Sequence, residues 1–427
     1  MLFRISRMIL HQPSGALAAS KPGDGHWVDI WTTMPQLTES TNLPNPPFNG
    51  TTGVFRNATI RQTLHMGLNA SFIRLRISNA FGTSNLGVTA VTLAKPSPPV
   101  SGASAIDTST LQNLTFSGSS SFSIPDGALL VSDAIEFAVH AGDTISVSMF
   151  LADGQDGFDI TSHPGSRATS WMAPGDVTKV ENLTGSSVQN VARWYFLSAV
   201  EAWVPKTSRS FAVVGDSITD GRGSDTDGND RWPDLVQDRL RARASTADIA
   251  VVNQAAGGNR ILADGLGPNA LGRIDRDVLA HSSVRYAMIF EGVNDIGVAA
   301  TDNASQTAIG DELLIAFRQI SVRVHAVGIP LFAATITPFG GNSPSYADPT
   351  RELTRQRVNT FIRSSSAFDA VVDFDKVVAD PADPTRLAPQ FDSGDGLHPN
   401  VAGYTAMAAV FDLSLFKKFE DGVSVFV

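Results

Sequence analysis

The chain has 427 residues, of which 42% are hydrophobic and 17% are charged, and this composition is that of a globular protein with more than one domain. Its formal net charge of −10 argues against nucleic acid and polyanionic partners, which need a clustered basic surface, unless one local basic pocket overrules the net charge. The chain contains no cysteine, which excludes disulfides and thiolate metal sites, and no stretch approaches the roughly 18 unbroken apolar residues of a membrane span.

The amino-terminal residues 1–24 are small, polar and interrupted by proline and glycine, so we expect them to be poorly ordered. Arg4 and Arg7 interrupt the apolar run that a secretory signal requires, so such a signal is absent, atypical or lost. An extracellular protein is nevertheless the expectation, because acceptor sites for N-glycosylation are frequent, although chance explains a good part of their number. The acceptor asparagines are Asn49, Asn57, Asn69, Asn113, Asn182 and Asn303.

Residues 25–205 have the pattern of an antiparallel β-domain. The segments 72–78 and 145–151 alternate apolar with polar or small residues, and no helical period is sustained in this half. We therefore predict a β-sandwich of the jelly-roll type. The polar segment 161–167 is either a solvated loop or a loop facing the crevice of the other domain, and in the second case His163 and Arg167 are candidates for substrate contact.

A polar segment at residues 205–208 marks the expected domain boundary. After it, residues 206–427 alternate between short apolar runs and helical segments, which predicts a parallel α/β sheet in three layers. The predicted strands are 211–214, 249–252, 285–290, 330–336 and 370–374, and the predicted helices include 232–243, 304–327 and 351–364.

Ser217 is the candidate nucleophile of this second domain. It follows the apolar run 211–214 and a Gly-Asp turn, so it is expected at the carboxyl end of a strand, where open α/β sheets bind their ligands. By itself, Gly-Asp-Ser is equally an ordinary turn. Downstream, however, Asp395 precedes His398 by three residues, and this spacing lets a carboxylate hold one imidazole nitrogen while the other faces a serine.

Two further strand ends bring hydrogen-bond donors to the same crevice. Gly257 and Gly258 follow the second predicted strand, and Asn294 follows the third. A glycine N–H and an asparagine amide, together with the N–H of the nucleophile, are the donors that an oxyanion needs. Asn259 is a further candidate for substrate contact.

Four sequence blocks, in this order, resemble those of the SGNH hydrolases of the GDSL esterase superfamily. The blocks are GDSIT at 215–219, NQAAGGN at 253–259, GVND at 292–295 and DGLHP at 395–399. The resemblance covers roughly the carboxyl-terminal half and implies a flavodoxin-like α/β/α fold. It also implies that Ser217 is the nucleophile, His398 its base and Asp395 the carboxylate that orients the base.

The resemblance further implies an oxyanion hole formed by the N–H of the nucleophile, the N–H of Gly258 and the side chain of Asn294. Block two has Ala255 where the family often has glycine, which leaves Gly257 as an alternative donor. We choose Gly258 because Asn259 follows it.

A β-sandwich in front of an SGNH domain is similar to the arylesterase and acylhydrolase branch of the superfamily, which includes plant-cell-wall deacetylases. The resemblance implies a serine esterase that forms an acyl-enzyme, with short acyl esters, acetyl above all, of carbohydrates or aryl alcohols as substrates. One alternative is a lipase or thioesterase-type acylhydrolase. The alternative from another class is a non-enzymatic glycan-binding protein on a retired SGNH scaffold, against which the intact serine, aspartate and histidine weigh.

No cofactor or metal ion is expected. The acidic segment 225–230 superficially resembles a calcium loop, but it lacks the glutamate at the twelfth position and the flanking helices, so a solvated loop is the better interpretation. The histidines show no paired spacing typical of a zinc site. The expected partner is a small ester or an acylated glycan, and the sequence does not define an oligomeric state.

Overall fold

The computed structural model describes residues 23–341 and 345–426, so the prediction for residues 1–24 falls almost entirely outside this part of the chain. Buried apolar side chains form two clusters, one made by residues up to Val204 and the other by residues from Phe211 onward. Ala250 is an exception, because it lies in the second region and packs in the first cluster. The two regions therefore meet through apolar side chains.

Up to Val204 the described chain is built from strands and one short 3-10 turn, Ser40–Asn42. The strands are β1 (His26–Thr32), β2 (Gln36–Leu37), β3 (Gly53–Val54), β4 (Ala58–His65), β5 (Ala70–Ser78), β6 (Leu86–Val88), β7 (Ala90–Pro96), β8 (Ile106–Asn113), β9 (Phe122–Ile124), β10 (Leu129–Val131), β11 (Ile135–Val139), β12 (Thr144–Leu151), β13 (Gln155–Asp156), β14 (Thr161–His163), β15 (Ser170–Pro174), β16 (Gln189–Val191), β17 (Trp194–Tyr195) and β18 (Leu197–Val204). The two larger sheets, in the orders β1-β18-β5-β10 and β16-β15-β4-β12-β7-β8, have antiparallel pairs throughout.

The alternation predicted for residues 72–78 is present in β5, where Ile73 and Leu75 are buried. These side chains share one core with Val147 and Met149 of β12, which belongs to the other large sheet. An antiparallel, strand-rich region is thus confirmed, while the jelly-roll type of sandwich stays a prediction.

From Arg209 onward, strands alternate with helices. The elements are β19 (Arg209–Gly215), α1 (Ser217–Asp220), α2 (Trp232–Arg241), β20 (Ile249–Ala255), α3 (Ala270–Ile274), a π-helical turn (Asp275–Leu279), β21 (Val284–Phe290), α4 (Val293–Val298), α5 (Asn303–His325), β22 (Leu331–Ala334), α6 (Pro349–Ser364), β23 (Ala370–Val372), α7 (Phe374–Val378), β24 (Ala379–Asp380), β25 (Asp383–Leu387), α8 (Val401–Val410) and α9 (Ser414–Lys418).

Five of these strands form a parallel sheet in the order β20-β19-β21-β22-β23. Counted within the sheet, this is the order 2-1-3-4-5 of flavodoxin-like folds, in which ligands bind beside the first strand, where the winding direction reverses. The predicted parallel sheet is therefore confirmed. Among the helices, α2 packs on α8, and α5 packs on α3, α4 and α6. The three-layer arrangement stays a prediction.

Side-chain caps fix where the two longest helices begin. The Asp302 carboxylate accepts a hydrogen bond from the Ser305 N–H in front of α5. The Asp348 carboxylate accepts from the Thr350 N–H in front of α6, whose first residue is Pro349. The observed helices consequently begin one and two residues before the predicted starts at 304 and 351.

The two regions touch along β1, which lies beside β19 and β20. Near the amino end of β21, the buried Asp29 carboxylate accepts from the Ser282 N–H at 2.7 Å and contacts His281 Nδ1 at 2.8 Å. The Ser210 hydroxyl donates to the Asp29 carbonyl at 2.9 Å. Only the segment 205–208 connects β18 to β19, and polar contacts fix the two regions against each other at this edge of the sheet.

The candidate glycosylation sites differ in exposure. Asn57, Asn69, Asn113, Asn182 and Asn303 are exposed, whereas Asn49 is partly buried. Within the described residues, no helix has both the length and the apolar character needed to cross a membrane.

Candidate active site

The loop after β19 holds Ser217 at the carboxyl end of the parallel sheet. The Asp216 carboxylate caps α1 by accepting from the Ile218 N–H at 2.9 Å. At Gly215 an added Cβ would lie 2.4 Å from the Thr219 hydroxyl, so the tight turn requires glycine there. Because β19 pairs with both β20 and β21, Ser217 sits at the point where the strand order reverses.

Ser217, His398 and Asp395 form a continuous hydrogen-bonded chain. The Ser217 Oγ lies 2.8 Å from His398 Nε2, and His398 Nδ1 lies 2.7 Å from Asp395 Oδ2. The other carboxylate oxygen of Asp395 accepts from the N–H groups of Leu397 and His398, at 3.0 and 2.9 Å. With Nδ1 protonated and donating to Asp395, Nε2 is free to accept the serine proton.

The electrostatics of this chain favour a neutral imidazole beside an ionised carboxylate. Burial lowers the pKa of His398 below its usual 6.5, against the opposing effect of Asp395. Burial alone would raise the pKa of Asp395, but hydrogen bonds from the backbone and side chain of His398 outweigh it and lower that pKa. At neutral pH the arrangement can therefore accept a proton from a serine hydroxyl.

Of the two glycines considered as oxyanion donors, Gly258 has the available N–H. The Gly257 N–H donates to Asp220 Oδ2 at 3.0 Å, whereas the Gly258 N–H has no hydrogen-bond partner among the described residues. Gly258 has a φ of 73°, which favours glycine, and an added Cβ there would lie 2.3 Å from Leu266 Cδ1. The geometry thus favours Gly258.

Asn294 lies in the first turn of α4 and has its side chain held from both ends. Its Nδ2 donates to the Asn259 carbonyl at 2.8 Å, and its Oδ1 accepts from the Tyr346 hydroxyl at 2.8 Å. An amide nitrogen carries two hydrogens, so the second one is left to donate into the cleft. The Tyr346 ring covers Gly297, where an added Cβ would lie 1.9 Å from a ring carbon.

An open cleft of about 590 Å³ lies above Ser217 and is lined by both regions of the chain. The first region contributes Gln36, Glu39, Asn42, Pro164, Gly165 and Arg167. The second contributes Ser217, Asp220, Arg222, Gly257, Gly258, Leu266, Asn294, Ser345, Tyr346, Asp395, Leu397 and His398.

The three predicted substrate contacts have different positions. Arg167 lines the cleft, with a φ of 49°. His163 is buried behind it, and its two ring nitrogens contact Asp220 Oδ1 at 2.9 Å and the Met34 carbonyl at 3.1 Å. The Asn259 side chain is also buried and donates to the carbonyls of residues 266 and 268. As a correction, His163 and Asn259 support the walls of the cleft and do not line it, because their polar atoms already have protein partners.

Several residues that shape this site had no role in the sequence prediction. The fully buried Arg273 donates to Asn259 Oδ1 through two nitrogens, at 3.1 and 2.9 Å, and to the Gln254 carbonyl at 2.6 Å. It thereby fixes the loop that carries Gly258. Asp220 directly follows the first sequence block, so its place near the site could have been predicted from the sequence. No local pattern distinguishes Arg273.

Carboxyl groups are buried beneath the nucleophile. Burial raises the pKa of Asp216 to about 7 and the pKa of Glu291 to about 8. It raises the pKa of Asp295 to about 6, although this carboxylate accepts from the N–H groups of residues 261 and 262. Asp295 thus holds the loop at residues 261–262, and the raised pKa values limit the negative charge beneath Ser217.

The acidic segment 225–230 docks on the first region. The Asp227 carboxylate accepts from the N–H and the hydroxyl of Thr169, and Asn229 Nδ2 donates to the Ser101 hydroxyl at 2.9 Å. Over residues 23–341 and 345–426, no group of three or more histidine, aspartate or glutamate side chains is placed to hold a metal ion.

Comparison with known proteins finds a family match for the part of the chain that holds the site. Residues 213–406 match the sequence model of the GDSL-like lipase/acylhydrolase family. No curated protein sequence matches the chain.

Solved structures that resemble part of the chain include a GDSL-like lipase from Bacteroides thetaiotaomicron VPI-5482, at 18% identity over 50% of this chain and 91% of that one, with a TM-score of 0.37. A putative acylhydrolase from Bacteroides fragilis NCTC 9343 is 20% identical over 50% of this chain and 89% of its own, with a TM-score of 0.37. Axe2, an acetylxylan esterase from Geobacillus stearothermophilus, is 22% identical over 48% of this chain and 94% of its own, with a TM-score of 0.36. Similarity at this level says nothing of the activity of this chain.

Proposed function

We propose that this chain, whose residues 213–406 form a GDSL-like lipase/acylhydrolase domain, is a serine esterase that hydrolyses carboxylic esters through an acyl-enzyme on Ser217. The observation that carries the proposal is the hydrogen-bonded chain from the Ser217 hydroxyl through His398 to Asp395, with its first contact at 2.8 Å, at the floor of an open cleft. A nucleophile, a base and an orienting carboxylate in this geometry are the parts that acyl transfer requires.

In the proposed reaction, His398 Nε2 accepts the Ser217 hydroxyl proton while Oγ attacks the ester carbonyl carbon. The carbonyl π electrons move onto oxygen, and the resulting oxyanion accepts hydrogen bonds from the N–H groups of Ser217 and Gly258 and from the Asn294 amide. The bond to the alcohol oxygen then breaks, and His398 gives its proton to that oxygen. A water molecule, deprotonated by His398, repeats the sequence and releases the carboxylic acid.

The lining of the cleft supports a short acyl group and a polar alcohol. Leu266 contacts Gly258 and occupies space beside the proposed oxyanion donors, which limits the room for an acyl chain. Gln36 and Asn42 contribute amide-bearing side chains on the opposite region. These features support acetyl esters of carbohydrates or aryl alcohols.

A lipase or thioesterase-type acylhydrolase is the alternative within the enzyme class, and a non-enzymatic glycan-binding protein is the alternative outside it. The preferred length of the acyl chain distinguishes the esterase from the lipase or thioesterase-type acylhydrolase. Hydrolysis of any ester excludes the non-enzymatic glycan-binding protein. An extracellular location is part of the proposal and is supported by the exposed acceptor asparagines alone.

The decisive experiment is the substitution Ser217→Ala, assayed with 4-nitrophenyl acetate. We expect kcat to fall by about 10⁴-fold or more, since triad residues act as a unit, while the melting temperature stays close to that of the parent. A fluorophosphonate should label the parent at Ser217 and leave the variant unlabelled.

Ser345→Ala is the matched control for this experiment, because Ser345 is an exposed serine in the same cleft. It should retain both labelling and activity. Activity of Ser217→Ala within tenfold of the parent would refute the assignment.

The substrate class is tested with a panel of acetylated xylan, acetylated pectin and 4-nitrophenyl esters of increasing chain length. We expect acetyl esters to give the highest kcat/KM. The substitution Leu266→Ala should raise kcat/KM for hexanoate relative to acetate. A parent that prefers long acyl chains would instead support the lipase alternative.

A further inference from the structure

Asp220 is a buried carboxylate that joins the first region of the chain to the loop of the proposed oxyanion hole. Its Oδ1 lies 2.9 Å from His163 Nε2, and its Oδ2 accepts from the Gly257 N–H at 3.0 Å. Both Asp220 and His163 are at least 96% buried, so water does not compete freely for these contacts. The next residue after Gly257 is Gly258, whose N–H is the proposed oxyanion donor.

His163 is held in a single orientation by three contacts. Its Nδ1 lies 3.1 Å from the Met34 carbonyl, and its ring stacks on Trp194 with centroids 5.8 Å apart and an interplanar angle of 26°. The partners of both ring nitrogens, the Met34 carbonyl and the Asp220 carboxylate, are acceptors. Since a carboxylate accepts, the Nε2–H of His163 is the donor to Asp220.

The backbone beyond His163 presses on the same carboxylate. At Gly165 an added Cβ would lie 1.7 Å from Asp220 Oδ2. The loop 163–165 therefore leaves Asp220 no space to move toward the first region, and only glycine permits this approach.

From these contacts we propose that the first region of the chain positions the oxyanion hole. His163 and the backbone at Gly165 fix the Asp220 carboxylate, Asp220 fixes the Gly257 N–H, and this sets the direction of the Gly258 N–H. In this role His163 is a positioning residue that never touches the substrate. The inference rests on the proposed esterase function, which makes the Gly258 N–H an oxyanion donor.

The expected size of the effect follows from the chemistry of the hole. Losing one oxyanion donor costs about 10²- to 10³-fold in kcat, and a misplacement of about 1 Å can cost about 10²-fold. Substituting His163→Phe keeps a ring against Trp194 but removes both nitrogens and leaves Asp220 without its histidine partner. We expect kcat to fall by about 10- to 100-fold, with KM nearly unchanged, because the interaction acts in the transition state.

The chain offers a matched control at the other edge of the same interface. His281 Nδ1 contacts the buried Asp29 carboxylate at 2.8 Å, and this pair also joins the two regions. It lies next to the amino end of β21, whereas Ser217 follows the carboxyl end of β19. His281→Phe therefore breaks a comparable contact without touching the loop of the oxyanion hole.

The test compares the parent with His163→Phe, His163→Gln and His281→Phe, using kcat and KM for 4-nitrophenyl acetate. The Gln variant supplies a neutral N–H close to the place of Nε2 and should recover part of the kcat lost in His163→Phe. His281→Phe should lose stability by a similar amount but keep its kcat. The proposal is overturned by equal kcat losses in both Phe variants, or by an unchanged kcat in His163→Phe.

Amide hydrogen exchange, followed by mass spectrometry on peptides covering residues 255–260, gives a readout that does not depend on turnover. The Gly257 amide should exchange faster in His163→Phe and at the parent rate in His281→Phe. Unchanged exchange in His163→Phe contradicts the proposed contact chain. A parent that hydrolyses no ester refutes the proposed function, and the exchange comparison still decides whether His163 fixes this loop. If His163→Phe fails to fold, the Gln variant decides both measurements, because it restores only part of the contact. Parent-like exchange together with a kcat equal to that of His281→Phe then counts against the proposal.

Discussion

The Tyr346 hydroxyl is expected to raise the rate of ester hydrolysis through Asn294 and without contact to the substrate. It donates to Asn294 Oδ1 at 2.8 Å, while Asn294 Nδ2 donates to the Asn259 carbonyl at 2.8 Å. Burial raises the pKa of Tyr346, so the hydroxyl keeps its proton at neutral pH. The hydroxyl thus prevents the amide from turning its oxygen, rather than its nitrogen, toward the oxyanion.

The magnitude follows from the single hydrogen bond that Tyr346→Phe removes. A neutral hydrogen bond contributes about 0.5–1.5 kcal/mol, which corresponds to about 2- to 10-fold in kcat if it is lost in full in the transition state. Asn294→Ala removes a proposed oxyanion donor and should cost about 10²- to 10³-fold. If Tyr346 acts only through Asn294, the double variant is no slower than Asn294→Ala alone.

The assay measures kcat and KM for 4-nitrophenyl acetate in the two single variants and the double variant. Tyr286→Phe is the control, because the Tyr286 hydroxyl also donates to a buried carbonyl at 2.8 Å but lies outside the cleft. It should leave kcat unchanged. Independent, additive losses for Tyr346 and Asn294, or a rise in KM in Tyr346→Phe, would refute the reasoning, because Tyr346 would then contact the substrate itself.

Three further predictions test the protonation state of His398, the need for a metal ion and the dependence of the second region on the first. Below pH 6.5, kcat/KM should fall with an apparent pKa lower than 6.5, because burial lowers the pKa of His398 and only the neutral ring accepts the serine proton; an acidic limb centred well above 6.5 would contradict this. Dialysis against a chelator should leave turnover unchanged, and a loss that calcium restores would assign a metal to segment 225–230. A truncated chain that begins at Lys206 should be insoluble or markedly less stable, since Ala250 and Asp220 lose their cover; cooperative melting near the parent temperature with full activity would show an independent second domain.

The sequence located the proposed site residues through local signals, namely short spacings, strand ends and the four sequence blocks. Asp395 and His398 are three residues apart, so their contact needs only one loop, and Ser217 is placed by the strand and turn directly in front of it. The parallel sheet followed from alternating apolar runs and helical segments, because a parallel sheet needs a crossover between neighbouring strands.

The residues whose roles the sequence did not identify act through long-range contacts, and they include His163, which the sequence named only as a candidate for substrate contact. His163 contacts Asp220, which is 57 residues away in sequence, and Tyr346 contacts Asn294, which is 52 residues away. No periodic pattern in the sequence predicts either contact. Arg273 is fully buried, although arginine is a residue type that is rarely buried. The residue type alone would therefore predict an exposed side chain. Such contacts depend on how the two regions dock and on how each loop folds over the sheet, and these are properties of the tertiary structure.

The charges around the cleft bear on the substrate more directly than the net charge of −10. Arg167 and Arg222 line the cleft together with the carboxylates of Glu39, Asp220 and Asp395, so that two cations stand beside three anions. The cleft therefore lacks the excess of positive charge that would attract a polyanion against the acidic charge of the whole chain. The two arginines also lower the pKa of His398, after the larger effect of burial, and thereby favour its neutral form. This balance supports a neutral ester as the substrate and gives the arginines a part in keeping the base unprotonated.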